Sequence, residues 1–493
     1  MIKRTLIRTG AVSLGALFAV TSTAIAAPSA PTYTKDVLPI IQENCQVCHR
    51  DNGANLGGMV APMAFNSYEK TRPWAKSMAK HVSAKTMPPW HASSDQHGVF
   101  ANERTLTDDQ IETIVKWATS GAPRGNPADA PATKTWDSDG GWTIGQPDLI
   151  LDMGEEYFVG DDVEDIYVDF RTEITKEMLP EDRIIKAVEF RPGSSVVHHI
   201  IAMPLGGIAP GNEATVYPDG IGRRISPGTN VTWQMHYHKE SGPSTGVMDR
   251  SQAAIKFYPK GTEVQYELKG EPLGRFDFRI PAGESDYSIK QEFTFNMDSQ
   301  IVSLMPHMHL RGKSALYEAY YPDGKHEVLL DVPRYDFNWQ TAYQFEEFKQ
   351  VPKGTRVVLT TAWDNSEENE FNPDPTQTVG WGHPTTDEMS FGFMSYINDS
   401  KDSRSMFGGG GGNRRGGRRN FDLGAMVKQF DANEDGLLQK SEAPEQMMRF
   451  FGMIDSDGDD ALSSDEIKSA MERFRGGRRG NRGGGQDANT TSD

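Results

Sequence analysis

His307-Met308-His309-Leu310-Arg311-Gly312-Lys313 sets two imidazoles two residues apart in a stretch that reads as a β-strand. Strand side chains alternate between faces, so both rings can project to one side. Outward from this stretch, residues 144–397 continue as short apolar runs broken by Gly, Pro, Asn and Asp. Residues 184–190, 196–203, 231–237 and 357–363 are examples. Such punctuation predicts antiparallel β-sandwiches. The stretch is long enough for two of them, with a boundary near residues 265–290.

Histidine gathers in this β region. His198 and His199 are adjacent, His236 and His238 stand in Trp233-Gln234-Met235-His236-Tyr237-His238, and Asp387-Glu388-Met389 adds a thioether. Neighbours on a strand point opposite ways, so joint ligation by His198 and His199 requires a bend or bulge. A single such histidine would read as an ordinary core residue. Six candidate ligands in four short segments exceed that background. Imidazole with thioether suits copper cycling between Cu(II) and Cu(I). His238 competes with His236, whereas His326 and His383 read as surface or supporting residues.

Cys45-Gln46-Val47-Cys48-His49 has the spacing of a covalent haem c attachment site, with His49 as an iron ligand. These are the only two cysteines of the 493 residues, so no disulfide is expected. Residues 27–125 are expected to form a small all-α cytochrome c domain. One helix delivers the chain to Cys45; another starts at the Thr107-Asp108-Asp109-Gln110 capping box and stops at Gly121. Met87, beside Pro88 and Pro89, is the candidate sixth ligand, with Met59, Met63 and Met78 as rivals and His81, His91 and His97 behind them.

Residues 1–26 read as a secretory signal: Lys3, Arg4 and Arg8, an apolar run, then Ala24-Ile25-Ala26. Export and haem attachment together predict a periplasmic protein with no membrane span. The formal charge of -18 argues against nucleic acid. Residues 126–145 and the Gly/Arg-rich 401–420 read as linkers, and 476–493 as a disordered tail. Between them, 421–475 is expected to be an α-helical EF-hand pair. Asp431, Asn433, Asp435, Leu437 and Glu442 fill the calcium positions of the first loop. Asp455, Asp457, Asp459, Ala461 and Glu466 fill those of the second, where Asp460 replaces the usual glycine.

The order of four segments resembles the copper type II ascorbate-dependent monooxygenases, the family of peptidylglycine and dopamine monooxygenases. They are Val197-His198-His199, Gln234-Met235-His236-Tyr237, His307-Met308-His309-Leu310-Arg311-Gly312-Lys313 and Asp387-Glu388-Met389. The resemblance implies two consecutive jelly-roll-like sandwich domains, residues 146–280 and 281–400, with one copper each. It implies an electron-storing copper on His198, His199 and His236. It implies a dioxygen-binding catalytic copper on His307, His309 and Met389. The family's peptide-binding arginine is Met305 here, and its Asn and Tyr after the methionine are Phe391 and Phe393. A small or apolar substrate is therefore expected rather than a peptidylglycine.

Taken together, the sequence predicts an exported copper monooxygenase that hydroxylates a C–H bond of a small molecule with dioxygen. Its haem would take electrons from a periplasmic or membrane-bound donor and pass them singly to the His198/His199/His236 copper. Two rivals remain at this point. One is a copper/haem dehydrogenase that feeds substrate electrons to a respiratory chain; the other is a non-enzymatic copper-binding electron carrier.

Overall fold

The computed structural model describes residues 30–51, 53, 59, 61–136, 141–382, 384–399, 437–439 and 461–463. The signal segment, His383, the Gly/Arg linker and most of the calcium loops lie outside the described residues.

Alternating burial along the strands builds two sheet pairs in succession. In the first, Leu149–Asp152, Gln252–Phe257, Arg183–Arg191, Ile221–Ile225 and Tyr266–Glu267 form one sheet. Asp165–Ile174, Thr229–His238, Val197–Met203 and Gly206–Ile208 form the other. Ile185, Val188 and Ile255 from one sheet meet Ile200, Trp233 and Met235 from the other, and each is fully or almost fully buried. The second pair stacks Lys269–Arg275, Ser390–Ile397, Ser299–His307 and Tyr343–Val351 against Tyr287–Thr294, Arg356–Trp363, Gly312–Tyr320 and His326–Val332. Leu304, Tyr317, Leu359 and Met394 fill that core. Val302 and Ile397, which belong to the second sandwich, pack into the core of the first. The two bodies are thus joined by buried apolar surface.

The expected fold class needs correction at both ends. Among the described residues strand accounts for 39% and helix for 13%, and no small all-α cytochrome c domain is seen there. Short helices do occur at Leu38–Asn44, Tyr68–Thr71, Ala75–Ser83 and Asp108–Thr119, the last with its Thr107/Gln110 capping box. They gather around Ile41, Ile114 and Trp117. The intervening residues, however, belong to the second sandwich. Phe100 pairs with Phe345 in an antiparallel bridge, Ala101 donates to Gln344 O at 2.8 Å, and Glu346 donates to Val99 O at 3.0 Å. Trp90 meets Tyr343 edge-on at 5.0 Å, and Phe100 is buried in the sandwich core. Apolar residues that a separate domain would keep for itself cover the sandwich instead.

The α-helical EF-hand pair is likewise not what the described residues show. Leu438–Gln439 and Ala461–Leu462 form a two-stranded antiparallel pair. The carboxylates Asp431, Asp435, Glu442, Asp455, Asp457, Asp459 and Glu466, with Asn433, lie outside the described residues. Among the described residues, no helix is long and apolar enough to cross a membrane.

Candidate metal centres and the cavity between them

The ladder between Val197–Met203 and Thr229–His238 slips by one residue at His198. Val197 faces Tyr237 and His199 faces His236, with His198 as the extra residue. A bulge of this kind rotates a side chain out of alternation, which is what joint ligation by neighbouring histidines demands. One nitrogen from each of His198, His199 and His236 lies within 4.8 Å of the others. The Nδ1 atoms of His199 and His236 are 3.2 Å apart. Two imidazoles bound tetrahedrally at about 2.0 Å to one ion stand at that separation. Both ring nitrogens of His198 are buried without a hydrogen-bond partner. An imidazole buried with neither its N–H nor its lone pair partnered fits a site built for a metal.

The supporting groups fix the tautomers. His236 donates from Nε2 to Asp165 Oδ1 at 3.0 Å, which leaves Nδ1 as its free lone pair. Tyr167 stacks on the same imidazole at 4.2 Å. Burial, reinforced by the neighbouring imidazoles, pushes His198 down to about 2 and holds His199 well below the ordinary histidine range. Burial also lowers His236, against the opposing pull of Asp165. All three are neutral at physiological pH, the form that binds metals. Burial opposes ionisation of Asp165, but hydrogen bonds from His236 and His238 hold its carboxyl well below the usual range. His238 is half-exposed and leans on the other Asp165 oxygen, outside the triad.

The second set forms where Ser299–His307 ends. The rings of His307 and His309 lie 5.4 Å apart and nearly perpendicular. His307 donates from Nδ1 to Gln340 Oε1 at 2.6 Å, and His309 from Nδ1 to Asp387 O at 3.2 Å. Each is left with Nε2 as its lone pair, and burial lowers them to about 4 and about 3. Glu388 anchors the Asp387-Glu388-Met389 turn beside them. Its carboxylate accepts from His309 N at 2.9 Å, Arg311 N at 2.7 Å and Trp363 Nε1 at 2.9 Å. Phe391, two residues after Met389, is the register partner of His307, and Met389 lines the same cavity as His307.

The two sets face one another. Phe337 stacks on His198 at 4.6 Å and meets the edge of His309 at 5.9 Å. Thr385 donates to Asp165 Oδ2 at 2.8 Å, tying the methionine turn to the carboxylate behind His236. A cavity of 580 Å³ reaches His199, His307 and Met389 together, and Met305, Phe391 and Phe393 line it. The apolar Met305, Phe391 and Phe393 are therefore on the cavity wall.

At the cysteine motif, His49 follows the helix Leu38–Asn44, stacks on Phe65 at 4.7 Å and donates from Nδ1 to Met63 O at 3.2 Å. Its Nε2 remains as the lone pair, and both Cys45 and Cys48 are free. That donor set fits a covalently attached haem. Of the methionines considered for the sixth position, Met87 and Met59 are exposed, Met63 is partly buried and Met78 is buried in the helical cluster. His97 is paired with Glu103, and His91 lies 3.9 Å from Asp336. His326 is bonded to Glu318 on the surface.

Sequence reasoning missed Asp165, Tyr167, Phe337 and Gln340. Asp165 and Tyr167 reach the site through strand register, opposite His238 and His236. The only local hint was an acidic residue at the start of an apolar strand.

No family model matches the chain, and no curated protein matches it. Similar solved structures include the naturally occurring empty particles of cowpea mosaic virus, at 9% identity over 55% of this chain and 94% of that one, with a TM-score of 0.23. A Paenibacillus xanthan lyase matches at 11% identity over 57% of this chain and 29% of that one, TM-score 0.16. The VP2 subviral particle of infectious bursal disease virus matches at 9% identity over 67% and 94%, TM-score 0.14.

Proposed function

We propose that the chain is an exported, periplasmic copper-dependent monooxygenase that hydroxylates a C–H bond of a small or apolar substrate. The observation that carries this reading is the His198 bulge. It delivers three neutral imidazoles to one point, with both nitrogens of His198 buried and unpartnered. The cavity that reaches His199 is also lined by His307 and Met389, and the His309 ring lies 5.4 Å from that of His307. Copper held by these two sets would supply one-electron cycling and activation of dioxygen.

The chain's own residues do the rest. Asp165, Gln340 and Asp387 hold His236, His307 and His309 in the tautomer that offers a lone pair. Glu388 fixes the backbone from which His309 and Arg311 depart. Met305, Phe391 and Phe393 give the cavity an apolar wall that excludes water and favours an apolar substrate. Cys45, Cys48 and His49 would hold a haem c, which would supply electrons from a periplasmic or membrane-bound donor. Calcium remains the ligand proposed for the acidic loops near the C-terminus.

Metal analysis of the full chain should give two copper ions. In the Cu(I) form, Met389→Ala should remove sulfur scattering from the X-ray absorption spectrum and abolish turnover while the triad copper stays bound. Labelled dioxygen should enter the product. One metal per chain, or preferential zinc binding, would contradict the two-copper reading. Substrate oxidation without incorporation of labelled oxygen would replace it with a dehydrogenase.

A further inference from the structure

The two donor sets meet on an open side and on a packed side. The open side is the cavity of 580 Å³, lined by His199, His307 and Met389. His198, His309 and Phe337 are not among the described residues of its wall. On the packed side the Phe337 ring fills the space between the other two imidazoles. It stacks on His198 at 4.6 Å with 15° between the planes, and it meets His309 at 5.9 Å and 81°, edge to face. The ring is only 9% exposed and belongs to the core of the second sandwich.

The turn that carries Phe337 is held at both ends. Asp336 opens it, accepting from Asn338 N at 2.9 Å with its carboxylate and from Trp339 N at 3.0 Å with its carbonyl. Gln340 closes it, donating from Nε2 to Phe337 O at 3.0 Å while its Oε1 accepts from His307. Gln340 N also donates to Pro210 O of the first sandwich at 2.8 Å. Gly211 permits that approach, because a side chain there would meet the Trp339 ring at 2.8 Å. The ring is thus fixed against both imidazoles, and close packing leaves no room for water at the contact.

We propose that Phe337 is the electron contact between the two donor sets, and that the cavity on the opposite side is left to the substrate. The proposal rests on the two-copper reading given above. Through Phe337 one electron passes from the triad to the second set. The triad ion goes from Cu(I) to Cu(II) and the other from Cu(II) to Cu(I), with no proton moved and the ring unchanged. An electron crosses atoms in van der Waals contact more readily than open space, so the transfer needs nothing bound in the cavity. The connection from Asp165 to Thr385 reaches Met389 only through further backbone. Phe337 acts through His198 and His309 and is a positioning residue.

The experiment uses the full chain with both coppers bound and oxidised, without dioxygen or substrate. A substoichiometric pulse of reductant is followed by freeze-quench EPR, which separates the all-imidazole Cu(II) signal from the sulfur-ligated one. In the parent the two signals should decay with one shared rate, because the electron equilibrates between the sets. Phe337→Leu and Phe337→Ala remove the ring and should split the decay into two separate rates. Phe337→Tyr keeps the ring and should restore the shared rate, and Thr385→Val should leave it intact. The dipolar splitting between the two Cu(II) ions should be the same in all these proteins. Separate rates in the parent would overturn the proposal without recourse to any variant. A shared rate in a ring-less variant that holds both coppers would overturn it too. A split decay accompanied by a changed dipolar splitting would reduce Phe337 to a spacer, and a split decay in Thr385→Val would move the path to Asp165. A parent chain that holds fewer than two coppers would refute the two-copper reading itself, and this proposal with it.

Discussion

Asp165 determines which nitrogen of His236 would face a bound metal. Because Oδ1 accepts the Nε2 proton at 3.0 Å, Nδ1 is the lone pair beside His199. Asp165→Asn can offer an amide proton to that Nε2 and so favour the opposite tautomer. Triad copper affinity should fall about 10–100-fold, as for other carboxylates that support a ligating histidine. Competitive copper titration measures this, and the His307/His309/Met389 site should keep its affinity. An unchanged triad affinity would show that the carboxylate is incidental. Glu388 works on the protein frame instead. It is fully buried, burial pushes its carboxyl up to about 7, and it accepts three donors. Glu388→Ala leaves those donors unsatisfied, so unfolding free energy should drop by roughly 3 kcal/mol. Urea unfolding of the apoprotein tests the figure, and a loss well under half of it would make the anchor dispensable.

The bulge at His198 makes an experiment at the level of the strand possible. Deleting His198 leaves Val197 opposite Tyr237 and His199 opposite His236, so an unbroken ladder results. The deletion variant should fold with an apo melting temperature close to the parent's, yet bind a single copper per chain. A variant that fails to fold would mean the extra residue is needed for the bend of the strand itself. The need for such a bulge was legible in the sequence, because adjacent histidines cannot otherwise share a ligand sphere. The strands 184–190, 196–203, 231–237 and 357–363 were legible too, from apolar runs between turn residues; they coincide with Arg183–Arg191, Val197–Met203, Thr229–His238 and Arg356–Trp363. Asp165, Gln340 and Phe337 were not. Asp165 arrives by pairing across two strands, Gln340 and Phe337 from a loop about thirty residues after the His-x-His pair, and no local period encodes either route. The helical segment misled for a related reason. Trp90 and Phe100 look like the core of a small domain but spend their apolar surface on Tyr343 and Phe345.

That docking makes the chain behave as a larger unit than its motifs suggest. Phe100→Ala removes a fully enclosed ring from the second sandwich and should cost about 3–5 kcal/mol. Limited proteolysis should then open the chain between residues 87 and 105. A chain starting at residue 126 exposes Tyr343 and Phe345 and should aggregate, where an independent sandwich pair would stay monodisperse. Scattering from the truncated protein decides between these outcomes. The fork at Asp165 has its own consequence at this scale. One oxygen holds His236 and the other holds Thr385, four residues before Met389. An ion settling on the triad draws charge from His236 and stiffens its grip on the carboxylate, which in turn steadies the threonine and the turn behind the thioether. Filling one centre should therefore ready its neighbour, so that copper enters in concert and the half-loaded protein is scarce. Native mass spectrometry during titration would count that intermediate, and Thr385→Val should make it common.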